Sequence, residues 1–175
     1  MKKLMTAALV LLASAQTFAQ STTTEEVTSK NSWLKAGLEA SVPVGKTSDG
    51  SSFAAGLVLS GQWMATKNFG IGLTSGYTHF FAKNNGEDAG LIPAGLLLRY
   101  YPQSKGFFAG TDVGYSFLTN TPGQTGGFYV KPQVGYHNYN WNFYGFYNQV
   151  FLNDGFNDVQ NVGIAATYNI RFGKK

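Results

Sequence analysis

The chain has no cysteine at all. A disulfide framework is excluded, and so are zinc fingers, thiol catalysis, iron–sulfur ligation and a lipid anchor on a cysteine. Charge is also scarce. Asp, Glu, Lys and Arg make up 13% of the chain, about half the usual quarter. Low charge with low apolar content would signal disorder, but hydrophobic residues reach 43%. No apolar run is long enough to cross a bilayer as a helix, which takes about 20 residues. No usable window shows the 3.6-residue period of an amphipathic helix. There is no basic patch of the kind that binds nucleic acid.

The N-terminus reads as a secretory signal. Lys2 and Lys3 form the basic start, Leu4 to Ala13 the short apolar stretch. Thr17-Phe18-Ala19 places small residues where a signal peptidase reads, so cleavage is expected after Ala19, with Ala15 as second choice. An uncleaved anchor helix is the alternative, disfavoured by length. Residues 1–19 are thus the expected signal peptide, 20–31 a flexible polar lead-in (QSTTTEEVTSKN) and 32–175 the folded domain. The mature chain has about 155 residues, enough for one domain. Its charge falls from +4 to +2 when the two N-terminal lysines leave.

Aromatics are plentiful at 15%, and there are 22 glycines. From Trp33 onward, hydrophobicity alternates with period two, a strand signal. Eight runs stand out: Trp33–Val42, Phe53–Met64, Phe69–Phe81, Leu91–Tyr101, Phe107–Leu118, Gly127–His137, Trp141–Phe151 and Gln160–Phe172. They exceed the common soluble strand of about five or six residues. A tilted membrane strand needs about nine to eleven. The connections between them alternate between longer and shorter, as in barrels with short periplasmic turns and long outer loops. An even strand count puts both termini on the periplasmic side.

Parity separates two faces. One reads Leu34, Ala36, Leu38, Ala40, Val42 in the first run, Ile92, Ala94, Leu96, Leu98, Tyr100 in the fourth, and Val162, Ile164, Ala166, Tyr168, Ile170, Phe172 in the last. The other carries Gly, Ser, Thr, Asn and every strand charge: Lys35, Glu39, Arg99, Asp112, Lys131 and Arg171. A soluble lipocalin-like periplasmic barrel with an apolar ligand would show the same split with the apolar face inward. Six charges over eight strands would make a poor water-facing exterior, however. Small residues such as Gly95, Gly110 and Gly114 suit the cramped interior of an eight-stranded barrel. The polar face is therefore placed inside, with the apolar face against lipid. Trp63, Phe69, Tyr100, Phe107, Tyr136, Trp141 and Phe172 fall at one end of the runs, Tyr77, Phe117 and Phe128 at the other. They are expected to form two interfacial girdles. Pro132 falls mid-run, where it can give no ladder hydrogen bond. A bulge or a weaker pairing is expected there.

With the signal, the eight runs and the closing stretch Tyr168-Asn169-Ile170-Arg171-Phe172, the chain resembles the small outer-membrane β-barrel proteins of Gram-negative bacteria, the OmpX/OmpA-type eight-stranded barrels. The resemblance spans the chain from about Trp33 and implies an all-β, antiparallel up-and-down transmembrane barrel. It also implies outer-membrane lipid as solvent and recognition of the last strand by the barrel-assembly machinery. Gly173-Lys174-Lys175 after the final aromatic depart from the family's ending.

Chemical motifs are weak. Val44-Gly45-Lys46-Thr47 has the tail of a P-loop without its upstream glycine, since position 40 is Ala. Gly70, Gly72 and Gly76 lack dinucleotide-fingerprint spacing. His79 and His137 are the only histidines and fall at opposite strand ends, so no shared metal site is expected. No catalytic residue and no cofactor are assigned. The inward charges Lys35, Glu39, Arg99, Asp112, Lys131 and Arg171 are expected to pair, the cations with Glu39 and Asp112, and to plug the lumen. The outer loops carry Lys46, Asp49, Lys83, Asn84, Asn85, Glu87, Asp88, Asn153, Asp154 and Asp158, where recognition would reside. The expected function is that of a monomeric, non-enzymatic envelope protein. The alternatives are an enzyme acting on outer-membrane lipid and the soluble barrel.

Overall fold

The computed structural model describes residues 33–84, 86–152 and 157–171. The expected signal at 1–19, the lead-in at 20–31, Asn85, Asn153, Asp154 and the end from Phe172 lie outside the described residues, as do the side chains of Trp33 and Arg171.

Eight strands form: β1 (Trp33–Pro43), β2 (Ser51–Met64), β3 (Phe69–Ala82), β4 (Ala89–Tyr100), β5 (Gly106–Thr119), β6 (Gly126–His137), β7 (Trp141–Phe151) and β8 (Val159–Arg171). One helical turn, α1 (Thr47–Gly50), sits between β1 and β2. Each strand pairs antiparallel with the next, and β1 pairs with β8, closing the sheet into a barrel. Closure leaves no edge strand, the condition for a sheet in lipid. The expected runs match these strands to within about two residues, the usual play in strand ends. At β2 a local irregularity explains the difference: the pairing shifts between Ser51 and Phe53, leaving Ser52 as an extra residue against β3.

Short connections at 65–68, 101–105 and 138–140 gather at one end. There Asn138 Oδ1 accepts the Asn140 and Trp141 N–H groups, and Asn68 Nδ2 donates to the Tyr101 carbonyl at 2.7 Å. Longer connections at 44–50, 83–88, 120–125 and 152–158 occupy the other end.

Parity holds through all eight strands. Lys35, Glu39, Arg99 and Asp112 are buried, while Leu38 and Ile164, on the opposite parity, are 64% and 70% exposed. An outward wall of Leu, Ile, Val and Phe on every side is far larger than the apolar patch a water-soluble monomer tolerates. It is a lipid-facing surface. Aromatics pair across neighbouring strands at both rims. Phe69 faces Tyr100 and Phe107 faces Tyr136 at the short-turn end, while Phe53 faces Phe81 and Phe128 faces Phe151 at the long-loop end. Phe53, Phe81 and Phe151 extend the second girdle beyond the residues expected from the sequence.

Pro132 weakens the pairing without bulging it. Between β6 and β7 the partners run from Val130–Gln149 directly to Gln133–Phe146 in unchanged register. The missing N–H leaves a gap in the ladder, not an extra residue. Pro93 does the same between β3 and β4, where pairing lapses between Ser75–Ala94 and Thr78–Leu91. Both prolines face a neighbour on only one side of their strand with full pairing.

Glycine is required where strands and side chains crowd inward. A Cβ on Gly95 would come within 2.5 Å of both the Tyr129 hydroxyl and the Val113 carbonyl oxygen. Because one obstacle is backbone, the clash cannot be relieved by a rotamer change alone. Gly95→Ala is expected to destabilise the barrel by ~1–3 kcal/mol. Guanidinium unfolding of the micelle-folded protein would check this, and an unchanged midpoint would refute the close approach.

Candidate functional site: lumen and long-loop rim

The lumen is layered. Toward the short-turn end, Met64, Tyr101, Phe108, Tyr144, Phe146 and Ala165 pack together. Toward the long-loop end, Ala54, Phe80, Leu91, Tyr129 and Val150 form a second apolar cluster. Charges occupy the space between, supplied by the inward positions of β1, β4, β5 and β6.

Arg99, Asp112 and Gln133 close a triangle. Arg99 donates to Asp112 Oδ1 at 2.9 Å and to Gln133 Oε1 at 2.6 Å. Gln133 Nε2 completes it by donating to Asp112 Oδ2 at 2.7 Å. The guanidinium also lies near the Phe108 and Tyr144 rings, 5.7 and 5.8 Å from their centroids. Glu39 takes Lys131 on one oxygen and the Thr78 hydroxyl on the other, the latter at 2.6 Å. The Lys131 ammonium sits 4.1 Å above the Phe146 ring. Buried ions of this kind need partners for their charge and hydrogen bonds, and these residues supply them.

Lys35 goes elsewhere. Its ammonium donates to the amide oxygens of Asn142 and Asn169, at 3.2 and 3.0 Å. The sequence points cations at acids, and counting charges does not reveal an amide pair as a cation's seat. The Arg171 side chain lies outside the described residues. A water-sized void of about 20 Å³ borders Glu39, Asp112, Tyr129 and Lys131.

The two histidines stand at opposite ends. His137 faces inward at the short-turn end, beside Tyr101 and Phe108, with Nε2 3.1 Å from the Gln103 carbonyl. His79 faces outward at the long-loop rim. Among the described strand residues it is the only imidazole, and there is no Asp, Glu, Lys or Arg, on the outward parity. Its Nε2 lies 3.0 Å from Asp88 Oδ2 and its Nδ1 3.1 Å from the Tyr77 hydroxyl. Asp88 reaches back from the loop and also accepts the Ala82 N–H at 2.8 Å. The Ala82 N–H and then the His79 ring hold the Asp88 carboxyl below its ordinary range. A group held so is ionised at neutral pH and accepts only. In the neutral ring, His79 Nε2 therefore carries the proton and Nδ1 accepts from Tyr77. Sequence reading singled out His79 and named Asp88 as a loop residue, but did not join them. The join depends on the β3–β4 register: His79 pairs with Gly90 and Phe80 with Ala89, which puts Asp88 diagonally beside His79.

The P-loop-like Val44–Thr47 stretch lies in the first long connection and ends in α1, a single turn. Gly70, Gly72 and Gly76 belong to β3 and face inward. Among the described residues no group of three or more metal-binding side chains gathers.

No protein-family model matches the chain, and no curated protein does. Solved structures do. The outer membrane protein OprG from Pseudomonas aeruginosa superposes with a TM-score of 0.55 at 15% identity, covering 82% of this chain and 97% of that one. The Yersinia pestis outer membrane protein Ail, in a phospholipid bilayer nanodisc, gives 0.55 at 11% identity, covering 81% and 99%. A designed transmembrane β-barrel gives 0.51 at 12% identity, covering 83% and 99%. At such identities the likeness is one of fold. The fold is that of the small eight-stranded outer-membrane barrels.

Proposed function

We propose that the chain is an integral, non-enzymatic protein of the Gram-negative outer membrane, a barrel with a closed lumen that holds its long loops at the cell surface. The short turns and both termini then lie in the periplasm. The last strand would be read by the assembly machinery, and the protein would work as a monomer in outer-membrane lipid. The observation that carries the closed lumen is its layering: paired charges sealed between two apolar clusters. An eight-stranded interior is just filled by side chains, and here they are held by one another. In planar bilayers the purified protein is expected to give no stable open conductance. Large, steady, ohmic currents would overturn the closed lumen. Extraction of the mature protein into buffer without detergent would overturn the membrane assignment.

A second reading, an enzyme acting on outer-membrane lipid, is favoured by one observation. The Asp88–His79–Tyr77 chain has the order of an acid, an imidazole and a hydroxyl, on the wall that faces lipid. Acyl release from lipopolysaccharide by the purified protein, lost in His79→Gln, would support it.

A further inference from the structure

Two hairpins carry the same hydrogen-bond pattern at their long-loop ends. In the β3–β4 hairpin, Tyr77 meets His79 two residues on, and His79 meets Asp88 nine residues further. Asp88 also accepts the backbone N–H of Ala82, six residues before it. In the β7–β8 hairpin, Tyr147 donates to Gln149 Oε1, again two residues on, at 2.6 Å. Gln149 Nε2 donates to Asp158 Oδ2, again nine residues further, at 2.8 Å. Asp158 Oδ1 accepts the backbone N–H of Leu152, again six residues before it, at 3.1 Å. Because β3 and β7 stand on opposite walls of the closed barrel, the two patterns lie on opposite sides of the rim, each on the outward face of its strand.

The long connection at 44–50 joins them. On one side the Lys83 N–H donates to the Gly50 carbonyl at 2.9 Å and the Lys83 ammonium to the Ser48 carbonyl at 2.6 Å. On the other, the Gln160 N–H donates to the Thr47 hydroxyl at 2.8 Å, and that hydroxyl to the Asp158 carbonyl at 3.2 Å. Lys83 and Asp88 on one side, residues 44–50, and Asp158 and Gln160 on the other thus form a tied arc, pinned to the wall at each end by an aspartate.

We propose that these are two copies of one loop clasp, and that the imidazole makes the β3–β4 clasp tighten on acidification while the amide keeps the β7–β8 clasp indifferent to pH. An amide donates from one end and accepts at the other at any pH. Neutral His79 does the same job: Nε2–H donates to Asp88 and Nδ1 accepts from Tyr77. A second proton on the ring goes to Nδ1. The Tyr77 hydroxyl turns from donor to acceptor, and the bond to Asp88 becomes an ion pair. Both contacts survive, and the one that holds the loop strengthens. Asp88 is depressed in the folded state, so its contribution is present above the ordinary carboxylate range and is lost only as pH falls through the depressed value. Asp88 and Tyr77 are the titratable groups within hydrogen-bond reach of the ring. Glu87 adjoins Asp88 in the exposed loop, and Lys83 stands at the loop's other end on Ser48. The residues paired with His79, Ala55 on β2 and Gly90 on β4, and its ring neighbour Phe81 do not titrate.

The test is amide exchange on the full chain folded in lipid nanodiscs, with each rate corrected for its intrinsic pH dependence. Protection at Ala82 is expected to rise about three- to tenfold between a neutral and a mildly acidic buffer. Protection at Leu152 is expected to stay flat. His79→Gln should keep Ala82 near its neutral-pH protection and abolish the response, whereas His79→Ala should lower protection about tenfold. Gln149→His should transfer the response to Leu152. Heat-modifiable gel mobility checks that each variant is folded. A flat Ala82 in the parent protein, or a His79→Gln variant that behaves as His79→Ala, overturns the proposal.

Discussion

Arg99→Leu is expected to destabilise the barrel by ~3–5 kcal/mol, the cost of leaving a buried carboxylate without its partner. Arg99 and Asp112 are each about 5% exposed at the side chain and 2.9 Å apart. With the guanidinium gone, Asp112 keeps only the Gln133 amide on its other oxygen. Gln133 in turn loses the donor to its carbonyl. Two polar groups are therefore stranded by one substitution. Adding Asp112→Leu should recover much of the loss, because a volume-filling apolar pair removes the unsatisfied charge instead of exposing it. Guanidinium unfolding of the single and double variants in micelles measures the coupling. A single variant as stable as the parent, or a double variant worse than the sum of its singles, would show that the triangle does not hold the lumen. The same variants bear on conduction, since a lumen sealed by this triangle has its best chance of leaking when the triangle is opened.

The barrel was legible because two signals agree along nearly its whole length. Runs such as Leu34–Val42 alternate without a break, and a period of two admits no other element. The choice of solvent needed a second fact, the near absence of charge on one parity and the crowding of glycine on the other. The lumen was legible as an inventory but not as a map. Lys35, Glu39, Arg99, Asp112 and Lys131 could be assigned inward, yet parity says nothing of which inward residue lies opposite which across the barrel. That depends on the stagger between strands, and it seats Lys35 among asparagines. Pro93 escaped notice although the reasoning applied to Pro132 covers it equally: each withholds one N–H from one neighbour. The clasps were the least legible. Tyr77, His79 and Asp88 share their spacing with Tyr147, Gln149 and Asp158, but the middle residue differs and the flanks do not repeat. Only the folded hairpin shows that imidazole and amide fill one role.

Leu38→Arg tests the other half of the assignment, the side that faces outward. Leu38 lies midway along β1 and is 64% exposed. If that face met water, the exchange would fall among ordinary surface substitutions, within about 0.5 kcal/mol of neutral. In a bilayer the same position is at hydrocarbon depth, and the guanidinium must be dragged into lipid or bend toward the headgroups. The expected loss is ~2–4 kcal/mol. Val42 lies on the same face of the same strand, close to the long-loop rim, and is also exposed. Val42→Arg is expected to cost ~0–1 kcal/mol, because the side chain reaches the interface directly. Stability toward guanidinium in lipid vesicles should therefore fall steeply for the first variant and barely for the second. The depth dependence is the discriminating feature, since both parent side chains are exposed on the same face and both variants introduce the same charge. Equal tolerance at both positions would mean that the wall of Leu, Ile and Phe does not face lipid. The inward placement of Lys35 and Glu39 would then need another cause than the membrane outside.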